Sequence, residues 1–144
     1  MITRKQINKA IGEFIDNALD AYGLHAVRRS VDSPDVIDRR SVRIILEGTR
    51  LEPASGYRIV HQEVSVEFYP EDRDVYRDEC WAAVDALSIA LTRPIVVENI
   101  YIRNEDEIDA DTSGDYVRIS FTLFWFEVAE DSSVEYMEEL EMEV

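Results

Sequence analysis

The clearest pattern along the chain is a change of hydrophobic period in its middle. From Val60 to Phe68 apolar and polar positions alternate, with Val60, Val64, Val66 and Phe68 on one side and Glu63, Ser65 and Glu67 on the other. A two-residue period with one wet side predicts a strand covered on one face only. Pro70 has no amide to give to a ladder and keeps Tyr69 extended, so pairing stops there. Beyond it the period lengthens. Tyr76, Cys80, Ala83, Val84, Leu87 and Leu91 step by three or four, which predicts a helix ended by Pro94. Glu71, Asp72 and Asp74 are expected in its first turn, where acids oppose the helix dipole favourably.

The same reading extends in both directions. Thr3 and Gln6 fit a capping box ahead of an amphipathic helix through Ile7, Ile11, Phe14, Ala18 and Tyr22, with Gly23 placed to end it. Ala26 to Ser30 predicts a short strand. Val42 to Leu51 predicts a longer one, and after a turn at Pro53 to Gly56 the segment Tyr57 to Tyr69 returns as its antiparallel partner. Ile95 to Arg103 and Tyr116 to Val128 supply two more strands, and the acidic segment between them turns around Thr112 to Asp115. In the last strand Phe121, Leu123 and Trp125 point one way, Phe124 and Phe126 the other. Such a strand is either central in its sheet or covered by something beyond the chain's own helices, for which a neighbouring copy is a candidate. The order of elements predicts an α+β fold: a mainly antiparallel four- to five-stranded sheet with two helices packed on one face. Residues 1–129 form one domain in this reading, and 130–144 an acidic tail.

Charge changes the picture more than size does. The 144 residues carry a net charge of −16. Residues 1–60 hold ten Lys or Arg against eight Asp or Glu, whereas residues 61–144 hold five against twenty-three. The second part repels phosphate backbones and anionic membranes. Arg28-Arg29 and Arg39-Arg40 bracket a polar loop and make the one basic neighbourhood. That loop is either simply solvated or orders on meeting an acidic partner. The tail has seven acids and no base. It is either disordered or, through Met137 and Leu140, a short amphipathic helix that docks on a partner. No apolar run is long enough for a membrane span, and no apolar signal core follows Arg4 and Lys5.

Candidate chemistry is sparse. A phosphate loop, a Ser-His-Asp spacing, HExxH and CxxC are all missing. Cys80 is the sole cysteine and shares the helix face of Tyr76, Val84 and Leu87, which reads as a buried, inert thiol. His61 lies on the polar side of its strand. Asp109-Ala110-Asp111-Thr112-Ser113-Gly114-Asp115 opens like a calcium loop, but Ser120 stands where the final Glu belongs. Glu105, Asp106, Asp109 and Asp111 have no lysine near them to hold a phosphate, which argues against a nuclease. Neither cofactor nor metal is expected, and no catalytic residue is assigned.

The "VSVEFYPED" strand ahead of an amphipathic helix, with a long late strand and the "MEELE" tail (Met137 to Glu141), resembles the phage tail terminator family of Gram-positive phages and prophages. The resemblance implies a structural protein of the virion, made in the host cytoplasm. It implies a homo-oligomeric, hexameric ring that caps the tail tube, halts polymerisation of tube subunits and meets the head connector, while DNA passes through unbound. Arg28, Arg29, Arg39, Arg40, Phe124, Trp125, Phe126, Met137 and Leu140 are the candidate interface residues. The alternative is an acidic DNA mimic that inhibits a host nucleic-acid enzyme, and an enzyme of unrecognised type ranks last.

Overall fold

The computed structural model describes residues 2–29, 40–72, 74–112 and 114–128. The loop at 30–39 with Arg39, and the tail at 130–144 with Met137 and Leu140, lie outside the described residues. Helix α1 spans Arg4–Ala21, β1 Val27–Arg29, β2 Ser41–Ala54, β3 Tyr57–Tyr69, α2 Arg77–Ala90, β4 Ile95–Val97, β5 Ile100–Asp111 and β6 Val117–Val128. The strands form one sheet in the order β1-β2-β3-β6-β5-β4. The α+β class and the two helices are as expected. The sheet is larger and less uniform: among the described residues it has six strands, and it is mixed because β1 runs parallel to β2.

The capping box forms, with the Thr3 amide donating to Gln6 Oε1 at 2.8 Å and the Gln6 amide to Thr3 Oγ1 at 3.2 Å. Gly23 ends α1 at φ 73°, a left-handed conformation that costs glycine nothing. Ile7, Ile11, Ile15 and Leu19 from α1, and Cys80, Ala83 and Leu87 from α2, are buried against a single face of the sheet. That face carries Val42, Val60, Val64, Val66 and Phe68, then Val117, Ile119, Leu123 and Trp125. All of these alternate in step, as the two-residue period predicts. Trp125 is the largest fully buried side chain; Arg4 lies over its ring at 5.3 Å, and its Nε1 donates to Glu127 Oε1 at 3.0 Å.

Four local expectations need correction. Ile95 to Arg103 is not one strand: the chain reverses at Glu98 and Asn99, with Glu98 at φ 52°, and Val97 pairs back with Ile100. The acidic segment expected to lead into a turn continues β5 as far as Asp111, because cross-strand pairing with β6 outweighs the low strand preference of Asp and Glu. Helix α2 starts at Arg77, so Glu71, Asp72 and Asp74 precede it, and Asp78 and Glu79 occupy its first turn. Pro53, read as part of a turn, sits within β2, where its missing amide is tolerated on a strand near the sheet margin.

Two irregularities bend the sheet. Between Leu46 and Thr49 β2 gains a residue on β3, and between Asn104 and Ile108 β5 gains two on β6. Extra residues left out of the ladder increase local twist and curl the strands.

Adjacent positions on β6 should therefore differ sharply. Trp125→Ala is expected to cost about 3–5 kcal/mol, whereas Phe126→Ala, on the other face and 54% exposed, should cost under about 1 kcal/mol. Urea unfolding of the two variants checks this; equal losses would place Phe126 in a core.

Candidate functional site

The sheet face opposite the helices has no cover within the described chain, and it divides into two chemically distinct halves. At the end near the β2–β3 turn, Tyr57, Ile59, Phe124, Phe126 and Val128 share this face by strand alternation and register. Tyr101 on β5 and Val96 on β4 pair with each other and extend it. Tyr57 meets Phe126 edge-on at 5.8 Å between centroids, and Phe126 meets Phe124 at 6.2 Å. Tyr57, Val96, Tyr101, Phe126 and Val128 are all exposed. A contiguous apolar patch of this kind on a small protein marks a contact surface.

The other half is acidic. The two bulges curl the sheet around a concavity of about 570 Å³, lined by Glu47, Glu63, Glu105, Glu107 and Asp109 with Arg118, Ser65 and Ser120. Ser65 Oγ donates to Glu47 at 2.6 Å, and Arg118 Nη2 donates to the same carboxylate at 2.6 Å. The serine hydrogen bond first, and Arg118 after it, hold the Glu47 carboxyl below its ordinary range. Nearer the margin, Arg43 pairs with Glu67 at 3.4 Å, Tyr69 OH donates to Glu67 at 3.2 Å, and Tyr69 stacks on Tyr116 at 4.9 Å. Among the described residues no group of three or more His, Cys, Asp or Glu side chains is placed to hold a metal ion.

His61 joins the two halves. Its Nδ1 lies against Glu105, its Nε2 is 3.0 Å from Glu52 Oε2, and its ring stacks on Phe124 at 6.5 Å. Read from sequence as a polar-side residue, it is a clamp linking β2, β3 and β5. The signal missed was distance along the chain: Glu105 lies on a strand two places away in the sheet. The hydrogen bonds to Glu52 and Glu105 raise the imidazole above its ordinary value of 6.5. Cys80 is buried as expected, and burial pushes its thiol up to about 11.

The structure separates the other sequence candidates. Arg28 turns to the helix side, over Gly12, and pairs with Asp16 at 2.7 Å. Arg40 lies against Glu79 and within 3.5 Å of Glu71, tying the start of β2 to the foot of α2. Arg29 lies on the helix-free face, level with Arg43. Phe124 and Phe126 are on that face too. Trp125, with 0% exposure, belongs to the core and offers no surface to a partner. Tyr57, Tyr101 and Val128 complete the patch and were not singled out from sequence, although their parity opposes that of Val60 and Trp125.

Because the folded imidazole holds its proton more tightly than the unfolded one, the clamp contributes its full stability below about pH 6.5. That contribution fades as pH rises through the higher folded value. The stability difference between the parent and His61→Ala should accordingly shrink between about pH 5.5 and pH 9 in urea titrations. A difference that grows with pH would contradict the charged clamp.

Residues 6–135 match the sequence profile of a family described as phage tail terminator protein. That span takes in nearly all of α1 and every element after it. A search of curated proteins returns no match. None of the helices described is long and apolar enough to cross a membrane. The family is structural and without catalytic activity, and its members are tail components of the virion that contact other tail or head proteins. With a profile match over most of its length, the chain belongs to the phage tail terminator family.

Proposed function

We propose that copies of this chain close into a hexameric ring that caps the head-proximal end of the tail tube, stops its growth and meets the head connector. The observation that carries this reading is the uncovered sheet face, aromatic at one end and acidic at the other. A ring with its helices outward turns that face to the lumen. DNA passing over Glu63, Glu107 and Asp109 finds few cations, so phosphate contacts release no counterions and the strand slides without sticking. The aromatic end lies at one rim, where Tyr101, Phe126 and Val128 gain by burial against the last row of tube subunits. An acidic DNA mimic would use the same carboxylates but leaves the aromatic end without a purpose.

Two measurements test the reading. Tube protein polymerised with the parent should give short, capped tubes in negative stain, with rings visible at their ends. With Tyr101→Asp and Phe126→Asp together, rings should persist while tube length returns to that of tube protein alone. Short tubes with the double variant would remove the aromatic end from the contact.

The second measurement concerns the lumen. Glu63→Lys, Glu107→Lys and Asp109→Lys combined should make rings retain duplex DNA at low salt and release it steeply as salt rises. A parent protein that binds a nuclease or polymerase, and neither forms rings nor shortens tubes, would favour the mimic.

A further inference from the structure

We propose that the ring closes through a stepped junction of sheet edges: β1 of one copy pairs with β5 of the next, and β4 of that next copy pairs with β2 of the first. The inference rests on the ring reading and says how its subunits join.

The lengths of the marginal strands supply the first argument. β1 pairs only with Ser41 to Arg43 of β2, and β4 only with Ile100 to Ile102 of β5. Among the described residues no strand pairs with the outer edge of β2 from Ile44 to Ala54, or of β5 from Arg103 to Asp111. Open strand edges present rows of amides and carbonyls to any chain that can add to them.

Register places these open stretches at opposite ends. Arg29 aligns with Arg43, Arg43 with Glu67, Glu67 with Arg118 and Arg118 with Asp111, so β1 is level with the open end of β5. Likewise Arg50 aligns with His61, His61 with Phe124 and Phe124 with Arg103, so β4 is level with the open end of β2. Each margin thus has a step and a recess, and the step of one fits the recess of the other. Strand polarity agrees. β1 runs with β2, and three antiparallel pairings separate β2 from β5, so a β1 laid beside the next β5 is antiparallel to it. A second copy related by rotation alone preserves those directions, which is the geometry of a closed head-to-tail ring.

Charge selects the same partner. The row across five strands begins with Arg29 and ends with Asp111, so joining copies in register sets Arg29 of one beside Asp111 of the next. The open stretch of β5 also carries Glu105, Glu107 and Asp109. Two such edges meeting each other would oppose acid to acid, which disfavours a two-fold pairing. Neither Arg29 nor Asp111 has to be unpaired in the single chain, because the junction adds a neighbour to an existing row.

Arg29→Cys and Asp111→Cys test the junction. Within one chain the two positions end a five-strand row, four spacings or about 19 Å apart, far beyond the ~7 Å that a disulfide tolerates between Cα atoms. Cys80 can stay, being buried with its thiol held protonated. On oxidation at capped tube ends, the two single variants mixed should yield covalent dimers, the double variant a ladder up to the ring number, and neither single variant alone any bridge. In a charge exchange, Arg29→Asp should abolish rings and Asp111→Arg added to it should restore them. Rings that form without the mixed bridge, or a bridge in one single variant alone, would overturn the stepped junction and leave the ring reading standing. Absent rings and unaltered tube growth with the parent would sink both.

Discussion

Strand length outrunning helix cover is the constraint on which this structure turns. Helix α1 has 18 residues and α2 has 14, so they extend about 27 and 21 Å at 1.5 Å per residue. β2 and β3, with 14 and 13 residues, reach about 45 Å at 3.3 Å per residue. Two helices cannot keep so long a sheet dry over its whole length, even on the face they cover. The burial of β2 follows accordingly: its first residues are buried and everything from Glu47 to Ala54 is exposed. The opposite face receives no cover at all from the described chain.

The central pair, β3 with β6, makes the two faces interdependent. Twelve consecutive residue pairs lock them in register, so fixing Val60, Val64 and Phe68 toward the helices also fixes Tyr57, His61 and Ser65 away from them. A one-residue slip would exchange the core for the outer surface. The apolar residues of the outer face thus cannot be drawn into the core without losing Trp125 and Leu123 from it. Among the described residues nothing covers them, which leaves that face open to a contact of the kind proposed above.

The bulges and His61 shape that outer face. Extra residues on β2 and β5 curl the sheet, and the clamp from His61 to Glu52 and Glu105 spans the curl between the two bulged strands. Five acidic side chains line the resulting concavity, where Arg118 lies beside Glu47 and His61 beside Glu105. Repulsion of that kind is a cost in a monomer and becomes an asset in the ring proposed above, whose lumen DNA would cross.

Much of this was legible from residues alone. The capping box, the period change across Pro70 and the two-sided apolar pattern of the last strand all act locally, so Thr3, Gly23, Val66 and Phe126 carry their meaning in any α+β arrangement. The inert thiol of Cys80 followed from its place on a helix face. Tertiary structure decided what depends on partners distant in the chain. Pairing with β6 drew the acidic segment of β5 into the sheet, where its own preference argued for a turn. Asp16 and Glu79 captured Arg28 and Arg40, which a charge count had left available to a neighbour. The parallel placement of β1 and the short marginal strands set which edges stay open. Periodicity reports which side of an element is dry, because that is a property of consecutive residues. It carries no information on which strand lies alongside, because that choice is made by burial and pairing summed over the whole sheet.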